Sequence, residues 1–274
     1  MIKALKFGRY ISRDSAIHRL DPRIKFLVLI FFILVLLMTK STAGLVCITA
    51  VIFLHLRASR LSAGEVGDSL RPLLPVLIFA FLINFFVVAA GENILFSFWF
   101  FRVSAESARR AINMTLRVAS LVLISNLLLT LTTSAMEITD ALSSLLSPLR
   151  HLGVPVQDIA MMMSVALRFV PTLIEETDKI MKAQASRGAD YDTGGPYKRA
   201  KGFVTVLIPL FISAFRRAEA LAAAMEARAY RSDVRRGKLH PLKMRMSDIV
   251  YAIGISSLLL LITILDRMGI LYFI

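Results

Sequence analysis

The chain is 274 residues long, 57% hydrophobic and has a mean hydropathy of +0.69, which excludes an ordinary soluble domain and makes it a membrane protein first. Its formal net charge of +14 sets basic side chains against anionic lipid or an acidic partner on the cytoplasmic side. Nucleic acid is disfavoured as that partner, because neither an aromatic-studded basic groove nor zinc-finger spacing occurs, and the lone cysteine, Cys47, rules out an internal disulfide and a cysteine-cluster metal site.

In chain order, the N-terminal stretch MIKALKFGRYISRDSAIHRLDPR is polar and basic for longer than the charged region of a signal peptide, and no small-residue cleavage site follows. In DPRIK, Asp21 reads as a helix N-cap and Pro22 as the first helical residue, with Arg23 and Lys25 holding the cytoplasmic end. Apolar runs long enough to span a bilayer follow from about Ile24 to Met38, Ala43 to Leu56, Leu73 to Ala90, Ile112 to Leu131, and Ile249 to the C-terminus. Only Thr39 to Thr42 separates the first two, so they form a hairpin. LFSFWFF, 95–101, reads as an aromatic interfacial patch or a short re-entrant element. Asn84 and Asn126 lie inside spans, where bonds between helices account for them. Lysine and arginine are concentrated in the N-terminal tail, after the second span and after the fourth, which puts the N-terminus in the cytoplasm of a multi-pass protein.

Residues 133–247 carry most of the information. SAMEITDALSSLLSPLRHLGV pairs Ser134 with Glu137 at capping-box spacing and stops near Pro148 to Pro155. A second helix is expected from about Val156 to Arg187, kinked at Pro171 and ended by Gly188. A third is expected from about Arg199 to Arg231, apolar at its start and amphipathic and alanine-rich at its end. Arg168 interrupts one and Pro209, Arg216 and Arg217 shorten the other, so neither is expected to span alone. They read as long helices rooted at the membrane surface, with alanines 218, 220 and 222–224 allowing a close crossing. The resulting reading is an all-α, polytopic membrane protein with about five transmembrane helices. Residues 1–132 form the tail and first four spans, 133–247 a cytoplasmic or interfacial module of long crossing helices, and 248–274 the final span.

Both long helices end alike, in Ser186-Arg187-Gly188 and Ala227-Arg228-Ala229. A cation in the last turn of one helix gains about 0.3–1 kcal/mol from the dipole and needs no further explanation. Two such ends, each with small neighbours that leave the guanidinium fork open, suit docking on a carboxylate or carbonyl in a partner's groove. These triplets, with DSAIHRLDPRIK at 14–25 and the arrangement of spans, resemble the transmembrane (T) component of energy-coupling factor transporters over nearly the whole chain. Ala229 departs from the glycine common at that place in the family.

The resemblance implies a subunit with no catalytic residues, cofactor or metal site of its own, in a prokaryotic cytoplasmic membrane. It implies contact of the two arginine triplets with two ATP-binding-cassette ATPases. It also implies a small membrane substrate-binding (S) component as partner, for import of a vitamin or metal ion. Met161, Met162 and Met163 offer an adaptable surface for that S component, or ordinary core and lipid contact. The alternative is a self-sufficient permease or channel, which would need inverted repeats or paired broken helices that are not evident. An intramembrane enzyme would need a catalytic constellation. The chain has no nucleotide-binding P-loop and no HExxH, and its histidines, at 18, 55, 151 and 240, are scattered.

Overall fold

The computed structural model describes residues 13–86, 94–98, 101–188, 195–231 and 244–270. The chain divides into two compact units, one running through residues 142–241 and the other holding the helices before and after it. The larger unit contains α1 (Pro22–Met38), α2 (Thr42–Ala58), α3 (Ala63–Leu70), α4 (Leu74–Phe86), α5 (Ala105–Ser125) and α9 (Met246–Arg267). Between α4 and α5 lies an antiparallel hairpin, β1 (Ile94–Phe98) with β2 (Phe101–Ser104), in the register Phe96 to Val103 and Phe98 to Phe101. The aromatic segment thus forms a short two-stranded ribbon, while Trp99 and Phe100 lie outside the described residues.

Local chemistry sets the helix ends. The Asp21 carboxylate accepts the Arg23 N–H at 2.9 Å, and Pro22 opens α1 with its φ already fixed. The Ser41 hydroxyl caps α2 by accepting the Gly44 N–H at 2.9 Å. Ser62 and Glu65 form a reciprocal capping box at the start of α3. α5 widens at its end into a π-helical turn, Asn126–Leu131. There the Leu128 carbonyl accepts the hydroxyls of Thr132 and Thr133 at 3.1 and 2.6 Å.

Among the described residues, four helical runs are long and apolar enough to cross a membrane: Gly64–Phe86, Glu106–Leu131, Val156–Ala185 and Met246–Arg267. α1 and α2 have 17 residues each and are joined by the short turn Thr39–Ser41, but they do not form the expected tight hairpin: each packs chiefly on α5 and α9, and they meet each other through Phe32 and His55, whose ring centroids are 5.6 Å apart. Helices cover all five expected segments, as α1, α2, α4 (preceded by α3), α5 with its π turn, and α9, but α1 and α2 fall short of the length that the other three reach; residues 87–90 and 271–274 of those segments lie outside the described residues. Val156–Ala185 meets the same length and apolarity, contrary to the expectation that Arg168 disqualifies it; Arg168 is exposed on that helix. Asn84 also departs from expectation. Its amide donates to the Ala80 carbonyl one turn back in its own helix, at 2.8 Å, and makes no bond between helices among the described residues.

The core of this unit lies between α1, α2, α5 and α9, where Phe32, Leu36, Ile48, Ile52, Leu127 and Leu259 are fully buried. In a bilayer such side chains gain little by leaving lipid for protein, so close packing and polar ties decide which helices associate. Two buried charges supply those ties. Lys25, only 1% exposed, donates from Nζ to the Thr132 carbonyl at 2.8 Å and to the His18 carbonyl at 3.2 Å, joining α1 to the end of the π turn and to the N-terminal turn. Lys25 thus holds its end of α1 from inside the bundle, with its ammonium buried. At the other end of α1, Asp266 of α9 is 2% exposed and accepts the N–H groups of Lys40 and Ser41 at 2.9 and 3.2 Å, together with the Ser41 hydroxyl. A carboxylate there also meets the positive end of the α2 dipole. Arg117 of α5 donates to the Thr39 carbonyl in the same turn at 2.6 Å.

Gly44 makes room for this arrangement: a Cβ there would lie 2.7 Å from Thr39 Cγ2 and 3.0 Å from Asp266 Oδ1. Gly44→Ala is expected to destabilise the unit by about 1–3 kcal/mol through overpacking. Asp266→Ala is expected to cost about 3 kcal/mol by stranding buried donors. Gly254→Ala, whose added Cβ meets nothing within 4 Å, should leave stability unchanged or slightly raised. Thermal unfolding of the three variants in detergent micelles checks the order.

Candidate functional site

The smaller unit is built on two long helices, α7 (Val156–Ala185, 30 residues) and α8 (Pro196–Ala227, 32 residues). At 1.5 Å per residue they are about 45 and 48 Å long. The preceding α6 (Ala135–Leu145) starts with the expected box, in which Ser134 N–H donates to Glu137 at 2.8 Å and Glu137 N–H to the Ser134 hydroxyl at 3.3 Å. A 3₁₀ turn over Ser147–Leu152 and a left-handed Gly153, φ 82°, then redirect the chain into α7. α7 runs through Pro171 and α8 through Pro209 as continuous helices.

The two helices are clasped by one carboxylate. Glu176 of α7 accepts the Ser213 hydroxyl of α8 at 2.5 Å and pairs with the Arg217 guanidinium. The Arg217 side chain is 40% exposed, so the ion pair is worth no more than about 1 kcal/mol; its main effect is to fix one register. The shielded stripe of α8, through Val206, Leu210, Ser213, Arg217 and Leu221, has the 3/4 spacing of a packed face. The alanines at 218, 220 and 222–224 are all exposed, so the crossing lies one turn before the alanine-rich stretch and does not use it. A groove of about 380 Å³ runs beside the clasp along Thr172, Lys179 and Ala183.

From this clasp both helices continue for the same distance. Arg187 lies eleven residues beyond Glu176 and Arg228 eleven beyond Arg217, about 16 Å of helix in each case. Their ends share one geometry. Arg187 N–H donates to the Gln184 carbonyl and Gly188 N–H to Ala185, both at 3.0 Å. Arg228 N–H donates to Met225 at 3.1 Å and Ala229 N–H to Glu226 at 2.9 Å. A bond from Tyr230 N–H to Met225, 2.9 Å, completes a Schellman motif at α8. The residue after each arginine is left-handed, with φ 87° at Gly188 and 53° at Ala229. The small third residue thus has a backbone reason: a left-handed turn stops the helix just past the arginine. Alanine adopts that turn at a cost that glycine escapes.

Ser186, Arg187, Gly188, Ala227, Arg228 and Ala229 are all exposed, and among the described residues neither guanidinium has an ion-pair partner. Met161 is half-buried on α7, while Met162 and Met163 are 61% and 49% exposed, some 13 or 14 residues before the clasp. The clasp itself escaped the sequence reading. The equal offset of Glu176 and Arg217 from the two motif arginines was the signal available.

The described residues thus make a polytopic, largely helical membrane protein with two exposed, arginine-bearing helix ends. The family model for CbiQ, cobalt transport protein, matches residues 13–239. The energy-coupling factor transporter transmembrane protein EcfT of Brevibacillus brevis is 42% identical over 262 residues, covering 96% of this chain and 98% of that protein. That of Acidaminococcus fermentans is 42% identical over 270 residues, 98% and 99% of the two chains. That of Thermanaerovibrio acidaminovorans is 45% identical over 254 residues, 91% of each. The chain belongs to this family, the transmembrane components of energy-coupling factor transporters.

The shared end geometry makes opposite substitutions behave oppositely. Gly188→Ala has free space for its Cβ, so its cost of about 1–2 kcal/mol is conformational alone. Ala229→Gly should gain about 1 kcal/mol. Hydrogen exchange of the last turn of α7 should quicken in the first variant, and that of α8 should slow in the second.

Proposed function

We propose that the chain couples ATP hydrolysis on separate subunits to import across a prokaryotic cytoplasmic membrane, with its N-terminus in the cytoplasm. Two ATP-binding-cassette ATPases dock on the helix ends, one at Ser186-Arg187-Gly188 and one at Ala227-Arg228-Ala229. A small membrane substrate-binding (S) component is the third partner, and it selects the vitamin or metal ion carried. The chain itself catalyses nothing and holds no cofactor. Residues 133–247 act as the coupling region between the spans before and after them.

The observation that carries this reading is the repeated end: two helices, clasped once, each stopped by a left-handed residue just past an exposed arginine that has no ion-pair partner among the described residues. A guanidinium is permanently charged and presents a planar fork, so it grips a carboxylate or carbonyl in a partner's groove without a proton to gain or lose. Small residues on either side let the partner's backbone approach. Because α7 is continuous from Met162 and Met163 to Arg187, a displacement at its arginine tip is carried along one rigid element to its apolar, methionine-bearing half, the surface offered to the S component. The relatives' names, which speak of an energy-coupling factor, support the same reading.

The test uses the chain co-expressed with the ATPases and S component of its own organism. Each of Arg187→Glu and Arg228→Glu should lower recovery of the assembled complex by about 10- to 100-fold, the range of one charge-assisted contact, and the double variant should lower it further. Uptake should fall with it. Unchanged assembly and ATP-driven uptake in the double variant, or uptake without any ATPase, would sink the proposal.

A further inference from the structure

α5 buries one side of its last turns and leaves the other side open. Leu123, Ile124, Leu127, Leu128 and Leu131 are buried in the core. The other side carries a furrow of about 330 Å³ lined by Leu121, Val122, Ser125, Asn126, Leu129 and Thr130. All six belong to α5 or its π turn, so no second helix among the described residues lines it. They form two rows at i, i+4 spacing, 121–125–129 and 122–126–130. Neighbouring rows of this kind leave a groove into which the ridge of a second helix fits.

Three of the six are polar, within a run apolar enough to cross a membrane, Glu106–Leu131. Asn126 stands five residues, about 8 Å, inside the end of that run. Elsewhere in the larger unit, threonine hydroxyls bond one turn back in their own helix: Thr49 to the Leu45 carbonyl at 2.7 Å, Thr132 to Leu128 at 3.1 Å and Thr263 to Leu259 at 2.9 Å. Ser125 and Thr130 do not, and Asn126 lacks the bond that Asn84 makes; none of the three has a hydrogen bond among the described residues. Their polar atoms are not sealed inside the protein either, so a partner can reach them. Asn126, expected to bond between helices, thus has no such partner among the described residues.

An unpaired amide or hydroxyl facing hydrocarbon is costly, and acyl chains offer neither donor nor acceptor. Polar side chains within spans are met by other helices. We infer that this furrow is an intramembrane docking site for a helix of the S component, one that presents hydrogen-bonding groups at the depth of Asn126. This docking presupposes the coupling role proposed above: of the partners named there, the ATPases act outside the bilayer and only the S component has helices within it. The Asn126 amide both donates and accepts, so it pairs with an amide, a hydroxyl or an exposed backbone carbonyl of the incoming helix. Ser125 beside it and Thr130 one turn on add hydroxyls, and Leu121, Val122 and Leu129 supply close packing.

The test uses the full chain co-expressed with the ATPases and S component of its own organism. Photoactivated p-benzoylphenylalanine in place of Leu129 should cross-link to the S component. Asn126→Leu and Thr130→Val should each lower recovery of the S component with the complex by about three- to tenfold, the range of one hydrogen bond between membrane helices, and leave recovery of the ATPases unchanged. Because neither side chain bonds within the described residues, the unfolding midpoint of the isolated chain in detergent should not fall. Cross-links only to lipid or to a second copy of the chain, or unchanged recovery of the S component in the double variant, overturn the docking site while leaving the arginine contacts standing. A lower midpoint in both variants overturns it in favour of an internal structural role. Absence of any S component from the complex of the unaltered chain instead overturns the function proposed above.

Discussion

Between lipid-embedded helices, apolar contact carries little preference, and the architecture of the larger unit therefore rests on a buried ammonium. Lys25 is covered on all sides and bonded to two backbone carbonyls, one in the N-terminal turn and one at the end of the π turn. Taking a lysine out of water costs several kcal/mol unless its protons are met, so the arrangement holds only while both carbonyls stay in place. The widened turn over Asn126–Leu131 and the polar ties of the segment before α1 follow from that requirement. At the far end of α1, Asp266 makes the corresponding demand on the turn before α2. One cation and one anion thus fix the stagger of α1, α2, α5 and α9, with the apolar side chains filling the space between.

The smaller unit is organised on a weaker interaction. Its clasp, Glu176 with Ser213 and Arg217, is half-solvated and adds little stability. It sets where α7 and α8 touch without locking them, leaving two arms of equal length beyond the contact. Rigidity along each helix comes from its backbone hydrogen bonds, and sharp termination comes from the left-handed residue after each arginine. Stiff arms on a loose fulcrum can move their tips without rebuilding the contact.

Features governed by neighbours in sequence were legible from the sequence. Hydropathy located the spans, Asp21 and the Ser134–Glu137 pair marked helix starts, and Gly188 marked a stop. Features governed by distant partners were not. Nothing around Lys25 announces that its acceptor is Thr132, 107 residues on, and Asp266 reads as a residue near the outer end of a span until Ser41 is brought to it. The alanine-rich end of α8 carries the composition of a close crossing, yet the crossing falls on Ser213 and Arg217, where an available carboxylate outweighs small side chains. Asn84 shows the same rule reversed: its own helix offered a carbonyl, and no neighbour was needed. The paired arginine-bearing helix ends were legible because their signal is local and repeated.

The length of α1 and α2 has a further consequence. With 17 residues each, these helices rise only about 25 Å, against a hydrocarbon layer of about 30 Å. Hydrophobic mismatch of that size is met by drawing the two leaflets together around the protein, at a fraction of a kcal/mol per ångström. The local thinning, snorkelling or association that answers a short span is therefore asked for at α1 and α2 and not at the 22-residue α9.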